Sequence, residues 1–255
     1  MEAAVPVGLV TGAASGLGRA VLDSLRRQGW RTAGVDLTEA AGADLAEVAD
    51  VTDAAALAAA VADAVGRLGG LDGVAACAGV NAGTFALAQR LPRADWDRLL
   101  SVNLTGSFLT AQAVLPHLAR RGGALVLVSS VSAHDPLPGA AHYSAAKAGV
   151  VALTRSLALE YGRAGVRVNS VAPGYMDTPM SAPVLDREAV RRRIEATIPL
   201  GRVAAPEEVA EVVAWLLGPG AGYLTGQDLV VDGGLGLTTY SHPSLLERLW
   251  ADEPS

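Results

Sequence analysis

The stretch TGAASGLG at residues 11–18 lies between a short apolar run, residues 7–10, and an amphipathic stretch, residues 17–28. The run predicts a strand and the stretch predicts a helix, so the glycines occupy the turn that joins them. Glycine lets such a turn tighten and lets a pyrophosphate approach the first N–H groups of the helix, where the dipole favours anions. In this context the stretch predicts a nucleotide-binding loop, and the alternative is an ordinary tight turn. The residues expected to contact the nucleotide are Gly12, Ser15, Gly16, Leu17 and Gly18.

The same alternation of strand and helix continues along the chain. Hydrophobic residues make up 51% of the sequence but aromatic residues only 4%, so the core is expected to consist of Ala, Val and Leu. Strands that alternate with helices, without a linker rich in Gly, Pro or Ser, predict one α/β domain over residues 1–255. Its fold class is a Rossmann-type doubly wound parallel sheet with helices on both faces. Strands are predicted at residues 7–10, 31–35, 73–77, 124–128, 166–171 and 228–231, and helices at 17–28, 54–65, 96–118, 144–161 and 206–217.

Two segments depart from this alternation. Residues 175–203 contain three prolines around a short charged helix, residues 186–196, and they follow the carboxyl end of a strand. An insertion at that position predicts a substrate lid. The C-terminal tail, about residues 237–255, has apolar positions on one helix face, and we expect it to pack on a neighbouring subunit. The alternative for the tail is a loosely ordered terminus.

Asp36 indicates which nucleotide is bound. It lies at the end of the second predicted strand, where a carboxylate accepts hydrogen bonds from ribose hydroxyls and repels a 2′-phosphate. No basic residue occupies residues 13–15 or 37–38 to hold that phosphate, so the sequence favours NAD over NADP. Asp50 and Val51 precede the next helix and are further nucleotide candidates, with helix capping as the alternative for Asp50.

The overall composition opposes several other classes of protein. A net charge of −6 argues against a partner that is a nucleic acid or a membrane surface, and the arginine run at residues 191–193 is expected to be a solvated helix face. The single cysteine, Cys77, cannot form an internal disulfide, which favours the cytoplasm. No cluster of His and Cys residues predicts a metal site. No signal peptide is visible, and no apolar run approaches the roughly 20 residues of a membrane span.

Lys147 is the one lysine among twenty basic side chains, and it follows Tyr143 by four residues on a predicted helix. Arginine cannot substitute where a compact ammonium is required. Free tyrosine, with a pKa of about 10, is a weak base at neutral pH, and a nearby cation favours the phenolate. The spacing puts both side chains on one helix face, which predicts a catalytic pair. The alternative is a packed tyrosine beside a snorkelling lysine.

Further motifs stand in a fixed order with this pair. Ser130 lies thirteen residues before Tyr143, Asn103 lies in the sequence VNLTG, and Pro173-Gly174 is followed by Thr178. With the TGxxxGxG and Tyr-x-x-x-Lys motifs, these make the chain resemble the short-chain dehydrogenase/reductase family over nearly its whole length. One departure is at residues 76–79, where ACAG replaces the usual Asn-Asn-Ala-Gly. This change loses an asparagine credited with stabilising the central sheet.

The resemblance implies an NAD-dependent oxidoreductase that interconverts a secondary alcohol and a ketone, with Tyr143 as general acid/base. It further implies that Lys147 binds the nicotinamide ribose, that Ser130 bonds the substrate oxygen, and that Asn103 holds a water in a proton relay. Family members are commonly tetramers, so a homotetramer is expected. Additional nucleotide contacts are expected from Ala78, Gly79, Pro173, Gly174, Met176 and Thr178, and substrate contacts from Asn81, Ser132, His134, Tyr175 and Met180.

Two alternative functions remain open from the sequence. One is a 3-oxoacyl-thioester reductase that uses NADPH, against which Asp36 argues. The other is a nucleotide-sensing protein that keeps the fold without catalysis, against which the complete set of four catalytic candidates argues.

Overall fold

Seven parallel strands form a single sheet in the computed structural model, which describes residues 5–81 and 83–237. The order is β3-β2-β1-β4-β5-β6-β7, so the direction of winding reverses between β1 and β4. In such sheets a ligand binds outside the carboxyl ends of the strands at this reversal. The doubly wound fold class is therefore confirmed. The strands are β1 Val7–Thr11, β2 Arg31–Asp36, β3 Leu45–Val48, β4 Gly73–Ala76, β5 Ala124–Val128, β6 Arg167–Pro173 and β7 Asp228–Val231.

Helices cover both faces of the sheet and produce two separate cores. One core packs α1 and α8 against the sheet, and the other packs α2, α4 and α5 against the opposite face. Both cores consist almost entirely of Ala, Val and Leu, as the composition predicts. The helices are α1 Gly16–Arg27, α2 Ala54–Leu68, α3 Arg93–Leu100, α4 Gly106–Leu118, α5 Ala141–Tyr161, α6 Ala182–Leu185, α7 Glu188–Glu195 and α8 Pro206–Leu217.

The structure differs from the sequence prediction at two elements. Strand β3 is absent from the predicted set, because it is a four-residue edge strand whose side chains are mostly only partly buried. Such a strand has no continuous apolar run. The single helix predicted at residues 96–118 begins instead at Arg93, and a π-helical turn at Ser101–Thr105 separates α3 from α4. That turn contains Asn103, and π turns of this kind are frequent at functional sites.

The helical run Arg93–Leu118 is long and apolar enough to cross a membrane by length and composition, contrary to the sequence expectation. Three of its residues, Ala111, Val114 and Leu115, are fully buried in the core between the sheet and its helices. Packing within the protein therefore accounts for part of its apolar character, since 44% of the apolar window is buried.

Residues 175–203 contain α6 and α7, in the region where the sequence predicts a lid. Asp177 and Arg191 form an ion pair across this segment. A small core of Leu185, Ile198 and Val203 lies beneath it. The expectation that the tail packs on a neighbouring subunit concerns residues 238–255, which lie outside the described residues.

Candidate active site

The glycine loop between β1 and α1 has the geometry that a nucleotide phosphate requires. Gly12 has a φ of 69°, a conformation that favours glycine, and a Cβ at Gly18 would lie 2.0 Å from the Gly12 carbonyl oxygen. Ser15, at the N-cap of α1, makes no side-chain capping bond. The first N–H groups of α1 are therefore left to an anion rather than to a side chain. Leu17 lies buried behind them. These features fit the pyrophosphate of a dinucleotide.

Asp36 lies beside this loop, as the sequence predicts. Its carboxylate accepts hydrogen bonds from the Ala14 N–H at 2.9 Å and the Leu37 N–H at 2.6 Å. These bonds hold the carboxylate at the end of β2, next to the glycine loop. The guanidinium groups of Arg19 and Arg26 also approach the loop that follows β2. A Cβ at Gly42 in this loop would lie 3.5 Å from Arg19 Nη2. The same Cβ would lie 3.3 Å from Arg26 Nη1. Neither arginine lies within residues 13–15 or 37–38, because both belong to α1.

The alternative role for Asp50, capping of α2, is not what the structure shows. Asp53 caps that helix, since its carboxylate accepts from the N–H groups of Ala55 and Ala56 at 3.0 Å each. Asp50 instead accepts from the N–H and hydroxyl of Thr52, both at 2.8 Å. Val51 is buried, and a Cβ at Gly106 of α4 would lie 2.8 Å from its Cγ2.

The far end of the predicted nucleotide site comes from the segment after β6. The Gly174 N–H bonds the Val231 carbonyl, and a Cβ at Gly174 would lie 2.9 Å from the Asp232 Cα. This close packing ties Pro173-Gly174 to the chain after β7. Thr178 reaches the glycine loop, since a Cβ at Gly16 would lie 3.5 Å from the Thr178 Cβ. Ser181 accepts from the Thr178 N–H at 3.1 Å and donates to the Met176 carbonyl.

Asn103 and Lys147 both lie close to Gly79 in the loop that follows β4. A Cβ at Gly79 would lie 2.8 Å from Asn103 Oδ1 and 3.8 Å from Lys147 Nζ. The buried Asn103 amide accepts from the Val80 N–H at 2.9 Å and donates to the Val80 carbonyl at 3.0 Å. Its side chain therefore fixes this loop, while the predicted role in a proton relay stays a prediction.

Lys147 is almost fully buried on α5. Its Nζ donates to the Val128 carbonyl at the end of β5 at 2.8 Å and lies 5.8 Å from the centre of the Tyr143 ring. Burial lowers the pKa of Lys147 to about 8, and a weaker interaction with Cys77 acts in the opposite direction. Burial also raises the pKa of the Cys77 thiol to about 12. An ammonium has three N–H donors, so the bond to Val128 leaves two for a ligand.

Ser130 lies two residues after the end of β5 and beside Tyr143. Its Oγ accepts from the Ser132 N–H at 3.1 Å, which leaves the hydroxyl proton for another acceptor. Burial raises the pKa of Tyr143, whereas its hydrogen bond with Ser130 lowers that pKa. From the sequence, we expected Lys147 to lower the pKa of Tyr143. In the structure the Lys147 ammonium lies over the ring and is itself desolvated, so burial dominates.

The substrate candidates are distributed around this cluster in different environments. The Asn81 Nδ2 donates to the Met180 carbonyl at 3.3 Å, which connects the lid to the chain after β4. Ser132 is buried, and Tyr175 packs on the small core beneath the lid. His134 Nε2 lies 2.6 Å from the Asp228 Oδ2.

Sequence reasoning missed several groups at this site. The backbone carbonyl of Val128 and the peptide groups of Val80 carry no side-chain signal, so no motif could have indicated them. Asp228 does carry a signal, because aspartate is depleted in strands and here begins β7. A charged residue at the start of a buried strand is a position to examine for a partner.

Comparison with known proteins identifies relatives along the whole fold. Residues 12–236 match the family model described as Enoyl-(Acyl carrier protein) reductase. The chain is 37% identical over 251 residues to a (3R)-3-hydroxyacyl-CoA dehydrogenase of Rattus norvegicus, covering 90% of this chain and 95% of that protein. It is 41% identical over 240 residues to a cis-4-hydroxycyclohexanecarboxylate dehydrogenase of Sinomonas cyclohexanicum, covering 89% and 95%. The ligand-free aldohexose dehydrogenase of Thermoplasma acidophilum superposes with a TM-score of 0.86 at 27% identity, over 91% and 94% of the two chains.

Proposed function

The chain belongs to the short-chain dehydrogenase/reductase family of oxidoreductases, which act on CH–OH groups, and we propose that it uses NAD and Tyr143 to interconvert a secondary alcohol and a ketone. The observation that carries this proposal is that Ser130 and Lys147 lie against Tyr143, while Asn103 and Lys147 lie against Gly79 of the neighbouring loop. A packed tyrosine–lysine pair alone would not require the other two.

The proton chemistry follows from these contacts. The Ser130 hydroxyl donates a hydrogen bond to the substrate oxygen and orients the alcohol. Tyr143, as phenolate, takes the alcohol proton while the C–O bond becomes a carbonyl. NAD, when bound, supplies the acceptor for the hydride that leaves the carbinol carbon. In the reverse direction Tyr143 returns its proton to the carbonyl oxygen.

Lys147 has two tasks in this proposal. The two N–H donors that Val128 leaves free bond the nicotinamide ribose, and the positive charge near the ring favours the phenolate. Since burial raises the pKa of Tyr143, this charge must offset the desolvation of the phenolate, and the Ser130 hydrogen bond adds to it before the substrate oxygen accepts the hydrogen bond from Ser130.

Asp36 supports NAD as the nucleotide. Its carboxylate, held by Ala14 and Leu37, lies where the adenosine ribose is expected and would repel a 2′-phosphate. The Arg19 guanidinium, which approaches the loop after β2, supports the alternative of a thioester reductase that uses NADPH. However, Arg19 Nε already donates to the Asp23 carboxylate at 2.8 Å. Steady-state kcat/KM with NAD and NADP decides between them. A strong preference for NADP would contradict the role given to Asp36, and its loss in Arg19→Gln would assign that preference to Arg19.

The substrate class is tested with a panel of secondary alcohols. Two relatives act, by name, on a 3-hydroxyacyl-CoA and on a cyclic hydroxycarboxylate, so the panel includes both kinds alongside sugars and steroid alcohols. NAD reduction is followed at 340 nm. Tyr143→Phe should keep nucleotide binding and lose turnover, and unaltered turnover would exclude the mechanism. Nucleotide binding without turnover on any alcohol would favour the non-catalytic alternative.

We further propose a cytoplasmic homotetramer. Phe108 on α4 and Leu159 on α5 are exposed at 43% and 85%, so the two long helices carry apolar side chains on the surface. Exposed apolar side chains on adjacent helices favour association. The single cysteine suits a reducing compartment.

A further inference from the structure

Asp228 carries a buried carboxyl group that takes no part in the mechanism above. It is the first residue of β7 and pairs in register with Ser170 of β6. Its side chain is only 3% exposed. Burial of a carboxylate is costly unless several hydrogen bonds compensate, so a residue of this kind requires an explanation.

Three side chains from three segments meet this carboxylate. Oδ1 accepts from the Ser129 hydroxyl at 2.6 Å and from the Ser170 hydroxyl at 2.5 Å. Oδ2 lies 2.6 Å from Nε2 of His134. The Ser129 N–H also donates to the Val171 carbonyl at 2.8 Å, which fastens the same residue to β6. One carboxylate therefore joins β6, the residue after β5, and the turn that follows.

The two residues after β5 that bond Asp228 enclose the segment that carries Ser130. Ser129 precedes Ser130 directly, and His134 follows the short turn Val131–Ala133. Within that turn the Ser132 N–H donates to the Ser130 Oγ and fixes the direction of its hydroxyl. The segment is thus held at both ends by Asp228 and in the middle by its own backbone.

We propose that Asp228 is a positioning residue: by clamping Ser129 and His134 it holds Ser130 at the correct distance from Tyr143 and from the substrate oxygen. This inference rests on the proposed function, because Ser130 acts there as the substrate-orienting hydroxyl. A displacement of about 1 Å at a reacting group can cost on the order of a hundredfold in rate. A carboxylate suits the task, because its two acceptor oxygens serve three donors without offering a competing proton.

The first test is Asp228→Asn. It replaces one acceptor oxygen by an NH₂ donor, which then faces the donors of Ser129, Ser170 or His134. We expect kcat to fall by about ten- to a hundredfold, with KM for NAD unchanged. The rising limb of the pH–kcat profile should move to higher pH, because the Ser130 hydrogen bond lowers the pKa of Tyr143. Ser130→Ala is the reference and should move the limb in the same direction.

Asp72→Asn is the matched control. Asp72 is also a partly buried aspartate in a hydrogen-bond network, but it accepts from the Val7 N–H and from Arg121 at the opposite end of the sheet. It should change neither kcat nor the pH profile. An unchanged kcat in Asp228→Asn would overturn the proposal. So would a folded variant with a lowered Tm and an unshifted profile, because that result describes a purely structural residue.

Two further measurements test the proposal if Asp228→Asn does not fold or if no alcohol is turned over. Ser129→Ala removes one clamp bond without burying an amide, and it should give the same shift in smaller degree if Asp228→Asn does not fold. Phenolate absorbance, as the difference between each protein and its Tyr143→Phe form, follows Tyr143 ionisation without any substrate. A raised midpoint in the Asp228 variant supports the clamp even if the wild-type protein turns over no alcohol, and an unmoved midpoint rejects it.

Discussion

At the scale of single residues, the proposed chemistry depends on how burial and hydrogen bonds act on Tyr143 and Lys147. Both groups lie where their charged forms are disfavoured, since burial raises the pKa of the tyrosine and lowers that of the lysine. Perturbed groups of this kind cluster at functional sites. In the proposed mechanism, the Lys147 charge and the Ser130 hydroxyl are therefore needed to favour the phenolate of Tyr143.

Lys147→Arg tests whether the one lysine is required for its shape. The buried Nζ lies 2.8 Å from the Val128 carbonyl, and a planar guanidinium cannot occupy that position without moving α5 or β5. We expect turnover to fall by at least about a hundredfold, the scale of a general acid–base contribution. Arg163→Lys, on the exposed turn after α5, is the control. Near-wild-type kcat in Lys147→Arg would remove the role assigned to this lysine.

The lowered pKa of Lys147 predicts how nucleotide affinity depends on pH. With its pKa near 8 rather than 10.5, the ammonium becomes a neutral amine as pH rises through about 8. If only the ammonium binds the ribose, NAD affinity should weaken above that pH, approaching about tenfold per pH unit. Calorimetric titration of NAD between pH 7 and 9.5 measures this slope. A flat profile would indicate that Lys147 stays charged or does not contact the nucleotide.

At the scale of elements, the turn between β1 and α1 is decided by close backbone contacts rather than by side chains. Gly18→Ala places a Cβ 2.0 Å from the Gly12 carbonyl oxygen, so the loop must open. We expect NAD affinity to fall by more than about a hundredfold, because a misplaced loop no longer presents its N–H groups to the pyrophosphate. Gly66→Ala, in α2, meets nothing within 4 Å and should instead stabilise the protein by about 1 kcal/mol. Equal effects of the two substitutions would contradict this account.

The π turn between α3 and α4 is a second decisive element. It places Asn103 against the loop after β4, where both amide atoms bond the Val80 peptide. A regular helix would rotate this side chain away, since each inserted residue changes the facing by about 100°. The apolar pattern of the long helix contains no sign of the insertion.

At the scale of the whole molecule, the proposed assembly depends on the exposed faces of α4 and α5. Leu159→Arg should yield a smaller particle, because an isologous interface places each substitution twice and like charges oppose pairing. Light scattering coupled to size exclusion measures the mass. Val48→Arg, at 66% exposure on the edge strand β3, is the control and should leave the mass unchanged. An unaltered mass in the Leu159 variant would place the interface elsewhere.

The sequence by itself determined the alternation of most strands and helices and the type of chemistry. The glycine loop, the Tyr143–Lys147 spacing and the alternation of apolar runs are local patterns, and local patterns follow from the period of a helix or strand and from turn geometry. The fold class, the family and the type of reaction predicted from them are confirmed. The individual site residues remain predictions until variants are measured.

Only the tertiary structure decided which polar groups meet. Asp228 and His134 are separated by 94 residues, and Asn103 and Val80 by 23, so packing alone brings them together. The direction of the pKa shift at Tyr143 has the same origin, because desolvation depends on every element packed around the ring. Strand β3 forms because β2 offers it an edge, which four weakly apolar residues cannot indicate. Contacts between distant segments are set by the whole fold, and no local pattern specifies them.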